Sequence, residues 1–260
     1  MATLRLLGTA AYPRVDETVH LLLSSNDEHL LVDAGTRIPQ TLEELGYSPG
    51  DVTDIFCTHS HADHLLGVPY VLLGRFLARN GAIRATAPDR PLTVRANPDT
   101  ISDLRTLTGV VTPGIDELLT DADRLVETAV GDTFTVGNVT VGVGPADHAV
   151  PTQGLVFDGE QRIVYTADTT SMPALREYVG TCDVVIHEAM YAAEQADLAA
   201  DLGHGTSREA GAFAAATDAN ELWLVHVADR YESAEQIRRE AEAEFDGRVV
   251  VPSRFDTVSL

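Results

Sequence analysis

Apolar and polar positions follow two rhythms along the chain. Short apolar runs, most of them closed by Gly, Asp or His, fall at residues 4–8, 19–24, 29–32, 51–57, 134–136, 139–143, 154–157, 162–166, 183–186, 221–225 and 248–252. They read as strands. Helix-length repeats lie at residues 37–45, 65–78, 208–217 and 235–245, with an alanine-rich helical stretch before Gly203. Gly46 and Pro49 stop the first helix, and Thr206 or Ser207 suits the N-cap of the third. Ser25-Asn26-Asp27-Glu28, Gly137-Asn138 and Asp158-Gly159 sit between paired runs as hairpin turns. This alternation indicates an α/β fold, in which chemistry gathers on loops at the carboxyl ends of strands. One compact domain over residues 1–260 accommodates the whole pattern, with no repeat and no linker.

One strand-to-helix loop stands apart. Residues 51–57 run into Thr58-His59-Ser60-His61-Ala62-Asp63-His64, which places three histidines and a carboxylate within His59 to His64. Imidazole and carboxylate form a zinc-type ligand set. Neighbouring side chains diverge, so His59 and His61 converge on one point while Asp63 and His64 face another. Two ions about 3.5–4 Å apart satisfy that geometry and make a two-metal hydrolytic site.

The run from His59 to His64 resembles the HxHxDH signature of the metallo-β-lactamase superfamily. The resemblance implies a four-layer αββα sandwich with a di-metal site at one edge. LRLLGT at residues 4–9 and LLVDAG at residues 30–35 resemble the opening of the ribonuclease Z branch. Gly8 and Gly35 are then expected to permit tight turns, and Asp33 to orient the metal loop from behind. His148 lies where the superfamily's third histidine is expected. Asp168, whose two oxygens can each face a cation, fits the bridging ligand. The implied first ion is held by His59, His61 and His148, the second by Asp63, His64 and His226, with Asp168 between them. His187-Glu188-Ala189, then Gly203-His204-Gly205-Thr206-Ser207, a helix, and Leu224-Val225-His226-Val227 follow in an order that resembles ribonuclease Z and its phosphodiesterase relatives. The lactamase and glyoxalase branches are less similar. In the ribonuclease Z branch the Glu and His of these motifs act as a pair, here Glu188 and His204.

Charge changes this picture in two ways. The net charge is −22 and all eighteen basic residues are arginine. Such acidity opposes non-specific binding to nucleic acid or acidic membranes. It also resembles the proteome bias of salt-loving archaea, where molar salt shortens the Debye length to about 3 Å. Against that background, Arg75, Arg79, Arg84, Arg90, Arg95 and Arg105 face only Asp89, Asp99 and Asp103 within residues 75–105. This local excess either steers a phosphate to the site or forms a solvated basic face. No apolar run approaches membrane-spanning length and no signal peptide precedes the first strand, so a cytoplasmic protein is expected. Cys57 and Cys182 lie in apolar runs and read as buried core thiols. A homodimer accords with the habits of cytosolic enzymes.

The chemistry follows from the implied site. Two cations lower the pKa of a bridging water from about 15.7 towards about 7, so hydroxide exists at neutral pH. Asp63 would aim it or accept its proton. With a phosphodiester the leaving alkoxide needs a proton, and His204 paired with Glu188 would donate it. Zinc is the expected ion, with manganese and iron as other candidates. Ribonuclease Z usually carries a long arm that grips transfer RNA, often between the third histidine and the bridging aspartate. Only nineteen residues separate His148 from Asp168, and a hairpin fills them. The chain therefore reads as a di-zinc phosphodiesterase for a small nucleotide-like or short nucleic-acid diester. A tRNA 3′-processing endoribonuclease, with residues 75–105 gripping RNA, is the second reading. A lactone, thioester or sulfate-ester hydrolase on the same fold is the third.

Overall fold

The computed structural model describes residues 2–14, 18–85, 88–170, 173–229 and 231–260; residues 15–17 of the loop after the first strand lie outside them. Strands β1 (Thr3–Gly8), β2 (His20–Ser25), β3 (Glu28–Val32), β4 (Asp54–Cys57), β5 (Thr93–Ala96) and β6 (Arg124–Glu127) come first. Strands β7 (Thr133–Val136), β8 (Val139–Pro145), β9 (Gln153–Asp158), β10 (Arg162–Tyr165), β11 (Val184–Glu188), β12 (Glu221–Val225) and β13 (Arg248–Val250) follow, and β14 (Thr257–Ser259) returns to pair with β1. They form two seven-stranded sheets, ordered β14-β1-β2-β3-β4-β5-β6 and β13-β12-β11-β10-β9-β8-β7. The helices are α1 (Ile38–Glu44), α2 (Ala62–Leu65), α3 (Val68–Arg79), α4 (Pro98–Val111), α5 (Ile115–Leu118), α6 (Pro173–Val179), α7 (Ala196–Asp201), α8 (Ser207–Ala216) and α9 (Ala234–Glu242).

Three apolar interlayers make this a four-layer sandwich. Successive strand residues point to opposite faces. Leu21, Leu23, Leu30 and Val32 therefore meet Val141, Phe157, Ile163 and Tyr165 between the sheets. Leu22, Leu31 and Ile55 instead pack on Ile38, Val68, Leu72 and Leu104 of the first helical layer. Val164, Val185 and Leu224 pack on Leu175, Ala210, Ala214 and Ile237 of the second. Both faces of these strands are covered, which is why they read as continuous apolar runs. Each such side chain, removed from water, contributes roughly 1.5–3 kcal/mol. Asn26 and Asp27 both take positive φ, giving the tight β2–β3 turn. No helix among the described residues is long and apolar enough to cross a membrane.

Three expectations need correction. The helix expected at 65–78 is α3 and starts only at Val68; Leu65 instead ends the separate helix α2, and the break falls where Gly67 donates its N–H to Ala34 O at 2.7 Å. A Cβ on Gly67 would collide with the carbonyl oxygen of Gly35. Gly35 itself serves close approach rather than a turn, since a Cβ there would lie 2.8 Å from His20 Nε2. The basic stretch is largely spent on internal contacts. Arg75 is 2 % exposed, with its guanidinium on the carbonyls of Gly50, Val52 and Arg90. Arg79 binds Leu118 O and Asp123, Arg90 pairs with Glu28, Arg95 with Asp54 and Arg105 with Asp116. Within and beyond that stretch, β5, β6, α4 and α5 complete the first sheet and its helical cover.

Gly67→Ala tests the close approach behind the metal-loop helix. Overpacking there costs roughly 1–3 kcal/mol, so the melting temperature falls by on the order of 5 °C. An unchanged melting curve would contradict the contact.

Candidate metal centre

Six strands deliver polar residues to one edge. Asp33 follows β3, Thr58 to His64 follow β4, His148 follows β8, Asp168 follows β10, Glu188 ends β11 and His226 follows β12. Asp33, Ala167 and His226 adopt φ of 59, 54 and 52°, so the chain takes left-handed backbone at three of these strand ends. Such conformations are costly for residues with a Cβ and persist where the surroundings fix them. In each case they turn the chain sharply at the strand's carboxyl end.

Hydrogen bonds fix which ring nitrogens face inward. Asp33 is fully buried and accepts from Thr58 N at 2.7 Å, Thr58 Oγ1 at 2.8 Å and His64 Nδ1 at 2.8 Å. An ionised carboxylate only accepts, so His64 Nδ1 carries a proton and a neutral ring leaves Nε2 a lone pair. Thr58 gives its hydroxyl proton to Asp33. It must then accept from His59 Nδ1 at 3.0 Å, which leaves His59 Nε2 a lone pair as well. His148 Nδ1 donates to Gly203 O at 2.6 Å, and its Nε2 lies 3.0 Å from His61 Nδ1. His59 Nε2 and His64 Nε2 are buried without a hydrogen-bond partner.

These atoms converge around Asp168. Its Oδ2 lies 3.8 Å from His59 Nε2, 3.4 Å from His64 Nε2 and 3.4 Å from His226 Nε2. Asp63 Oδ2 lies 3.7 Å from His64 Nε2 and 3.5 Å from His226 Nε2. Ligand atoms of His59, His61 and His148 lie within 4.8 Å of one another, and so do those of Asp63, His64 and His226. Orphaned buried nitrogens, aimed with carboxylates at a common space, fit divalent cations. Asp168 stands beside His59 of one trio and His64 and His226 of the other.

Electrostatics divide the two trios. Burial lowers the pKa of His59, His61 and His148, with neighbouring imidazoles adding to the effect at His59 and His61. Those rings are neutral, as ligands must be. Burial is the largest single influence on His64 and His226 and opposes their charge, but the carboxylates together outweigh it, Asp168 with Asp33 at His64 and Asp168 with Asp63 and Glu188 at His226, and both pKa values rise. The carboxyls of Asp63 and Asp168 are correspondingly lowered, against the effect of burial. A cation there replaces bound protons, so acid weakens its binding.

Beside the two trios stands a separate pair. His204 Nδ1 donates to Glu188 Oε1 at 2.9 Å. Glu188, 1 % exposed, also accepts from Thr169 N at 3.0 Å and Met190 N at 3.1 Å. The His204 ring lies 4.7 Å from His148 and 5.3 Å from His226, centroid to centroid, so it reaches both trios. All nine side chains expected from the sequence meet at this edge.

Thr18 and His20 escaped the sequence reading. Thr18 Oγ1 donates to Asp63 O at 3.2 Å and contacts His20 Nε2 at 3.0 Å, and Gly35 N donates to that nitrogen at 3.1 Å. Burial first, then His64, lowers the His20 pKa to about 3, so the ring is a neutral acceptor under the Asp63 loop. A lone Thr and His at a strand start carry no sequence signal. Cys57 and Cys182 are buried free thiols.

Comparison with known proteins places this geometry in context. The family model described as "Anti-Pycsar protein Apyc1" matches residues 2–246. A ribonuclease Z of Pyrobaculum neutrophilum is 30% identical, covering 97% of this chain and 96% of the relative. One of Halorubrum lacusprofundi is 29% identical over 308 aligned positions, covering 98% of this chain and 96% of the relative. The metallo-β-lactamase fold protein YhfI from Bacillus subtilis superposes with a TM-score of 0.81 at 22% identity, covering 99% of this chain and 98% of that one.

The buried Asp33 carboxylate provides a test of ligand orientation. Asp33→Asn is expected to weaken metal binding by about 10–100-fold. Equilibrium dialysis against zinc measures it, and an unchanged affinity would show that Asp33 does not set the ligands.

Proposed function

We propose that this chain, which belongs to the Apyc1 anti-Pycsar family within the ribonuclease Z-like branch of the metallo-β-lactamase superfamily, is a two-metal phosphodiesterase for small nucleotide-like diesters such as cyclic nucleotides. His59, His61 and His148 would hold one ion; Asp63, His64 and His226 the other; Asp168 both. When bound, the cations would activate a water and offset charge developing on the phosphate. Zinc as the ion, a cytoplasmic site of action and a homodimeric state belong to the same proposal.

The observation that carries the reading is the His204–Glu188 bond. Glu188 is held by two backbone N–H groups, so it holds His204 Nδ1–H in turn and leaves Nε2 free, which in the imidazolium form carries the second proton. From there Nε2 donates to the leaving alkoxide and takes a new proton from solvent. Asp63 would orient the attacking water through a carboxylate oxygen.

A small substrate is favoured by what the chain lacks. The Halorubrum alignment spans 308 positions against 260 residues here, so the relative carries insertions that this chain does not. The hairpin β9–β10 fills the space between His148 and Asp168. The arginines once expected to grip RNA are engaged with carbonyls and carboxylates. Processing of a tRNA 3′ trailer remains the second reading because curated relatives are named ribonuclease Z.

Metal-loaded protein, assayed at low and molar salt, is expected to hydrolyse 2′,3′- or 3′,5′-cyclic nucleotides and to leave a precursor tRNA intact. Trailer cleavage would establish the second reading, and turnover of a lactone or aryl sulfate alone would overturn both. His204→Ala should lower turnover of a diester with a poor leaving group by about 10²–10⁴-fold. Its effect on bis(p-nitrophenyl) phosphate should be far smaller, because that leaving group needs no proton. An equal loss on both would remove the general-acid role.

A further inference from the structure

We infer that Glu240 and Tyr231, from the layer behind the site, are positioning residues that hold His204 against Glu188. The inference rests on the general-acid role proposed for His204.

The two members of that pair lie on different loops. Glu188 leads into the segment 189–195, and His204 lies in 203–206, which ends at the N-terminus of α8. Their 2.9 Å contact persists only if both loops are fixed in register. Glu240 of α9 ties them together. Its Oε2 accepts from Ala193 N at 2.8 Å on the first loop and from Ser207 Oγ at 2.8 Å at the end of the second. Its Oε1 accepts from Gln236 Nε2 at 2.9 Å, which holds the carboxylate in that orientation.

Tyr231 makes a parallel tie. Ser207 N donates to its hydroxyl at 3.3 Å, and the hydroxyl donates to the carbonyl of Tyr191. The loops also touch directly, through Tyr191 N to Gly205 O at 3.3 Å. Each tie therefore spans the same gap, one from the carboxylate and one from the phenol.

Helix capping does not explain these contacts. Thr206 and Glu209 already form a complete capping box at the start of α8. The bond from Ser207 to Glu240 is additional. It is possible because α8 and α9 approach at backbone distance, where a Cβ on Gly211 would strike the carbonyl oxygen of Ala241. Gly211 thus brings the residue next to Ala241, Glu240, within reach of the loop.

Displacing a catalytic group by about 1 Å can cost up to 10²-fold in rate. Glu240→Ala is therefore expected to slow a diester with a poor leaving group by about 10–100-fold. Bis(p-nitrophenyl) phosphate should lose less than about threefold, with metal content unchanged. Glu240→Gln, whose amide oxygen can accept both bonds made by Oε2 but whose amide N–H groups would face Gln236 Nε2, should recover only part of the rate. In a His204→Ala background, Glu240→Ala should add nothing, the non-additivity expected of groups acting as a unit. The Nδ1 proton resonance of His204 in the metal-loaded protein reports the Glu188 bond independently of turnover, and Glu240→Ala should shift it upfield. Melting curves identify any variant that fails to fold, and Tyr231→Phe then gives the second test. If His204→Ala discriminates between leaving groups while neither Glu240→Ala nor Tyr231→Phe does, the positioning role is overturned. If His204→Ala itself does not discriminate, the general-acid reading falls instead.

Discussion

A buried carboxylate sets the direction of the whole centre. Asp33 lies at the carboxyl end of a fully covered strand, where burial raises its pKa and the donors around it work against that shift. Thr58 N, Thr58 Oγ1 and His64 Nδ1 supply those donors. Removing any of them would leave a buried acceptor short of a partner, at roughly 1–3 kcal/mol. Satisfying them all aligns His64 directly and His59 through the threonine hydroxyl. Two ring nitrogens are thereby aimed inward before any ion arrives. That preorganisation is the property a two-metal site needs, since ligands that must be reoriented on binding lose affinity to ordering.

Around that anchor the fold works by alternation. Strands β3, β4, β10, β11 and β12 each hand one face to the inter-sheet core and the other to a helical layer, and polar residues at or just beyond their ends emerge at the shared edge. Short connections keep those residues close. The layer behind then fixes the loops, as Glu240 of α9 and Tyr231 just before that helix do at Ser207, the residue that closes the segment carrying His204.

This construction explains what could be read from the sequence. The cluster from His59 to His64 was legible because dense polar ligands directly follow a buried apolar strand. His148, Asp168, Glu188 and His226 also stand at or just beyond the ends of apolar runs, but what singled them out was the resemblance of their order to ribonuclease Z. Asp33 was legible as a strand-end carboxylate, though its three donors were not. Thr18, His20, Tyr231 and Glu240 were invisible, because isolated polar residues acquire meaning only when the chain brings distant loops to them. The arginines of 75–105 are less free than the local charge count suggests, for a related cause. Counting charge within a window misses Glu28 and Asp54, which pair with Arg90 and Arg95 from the neighbouring strands. Strand β14, three residues long, α5, four residues long, and helix α4 also escaped.

The central claim is that two cations sit between these trios while His204 stays free to carry a proton. Anomalous diffraction from zinc-loaded crystals, recorded on both sides of the zinc absorption edge, tests it most directly. The account predicts two peaks about 3.5–4 Å apart. One lies among His59, His61 and His148, the other among Asp63, His64 and His226, and Asp168 reaches both. A single peak, or an ion ligated by His204 and Glu188, would contradict it.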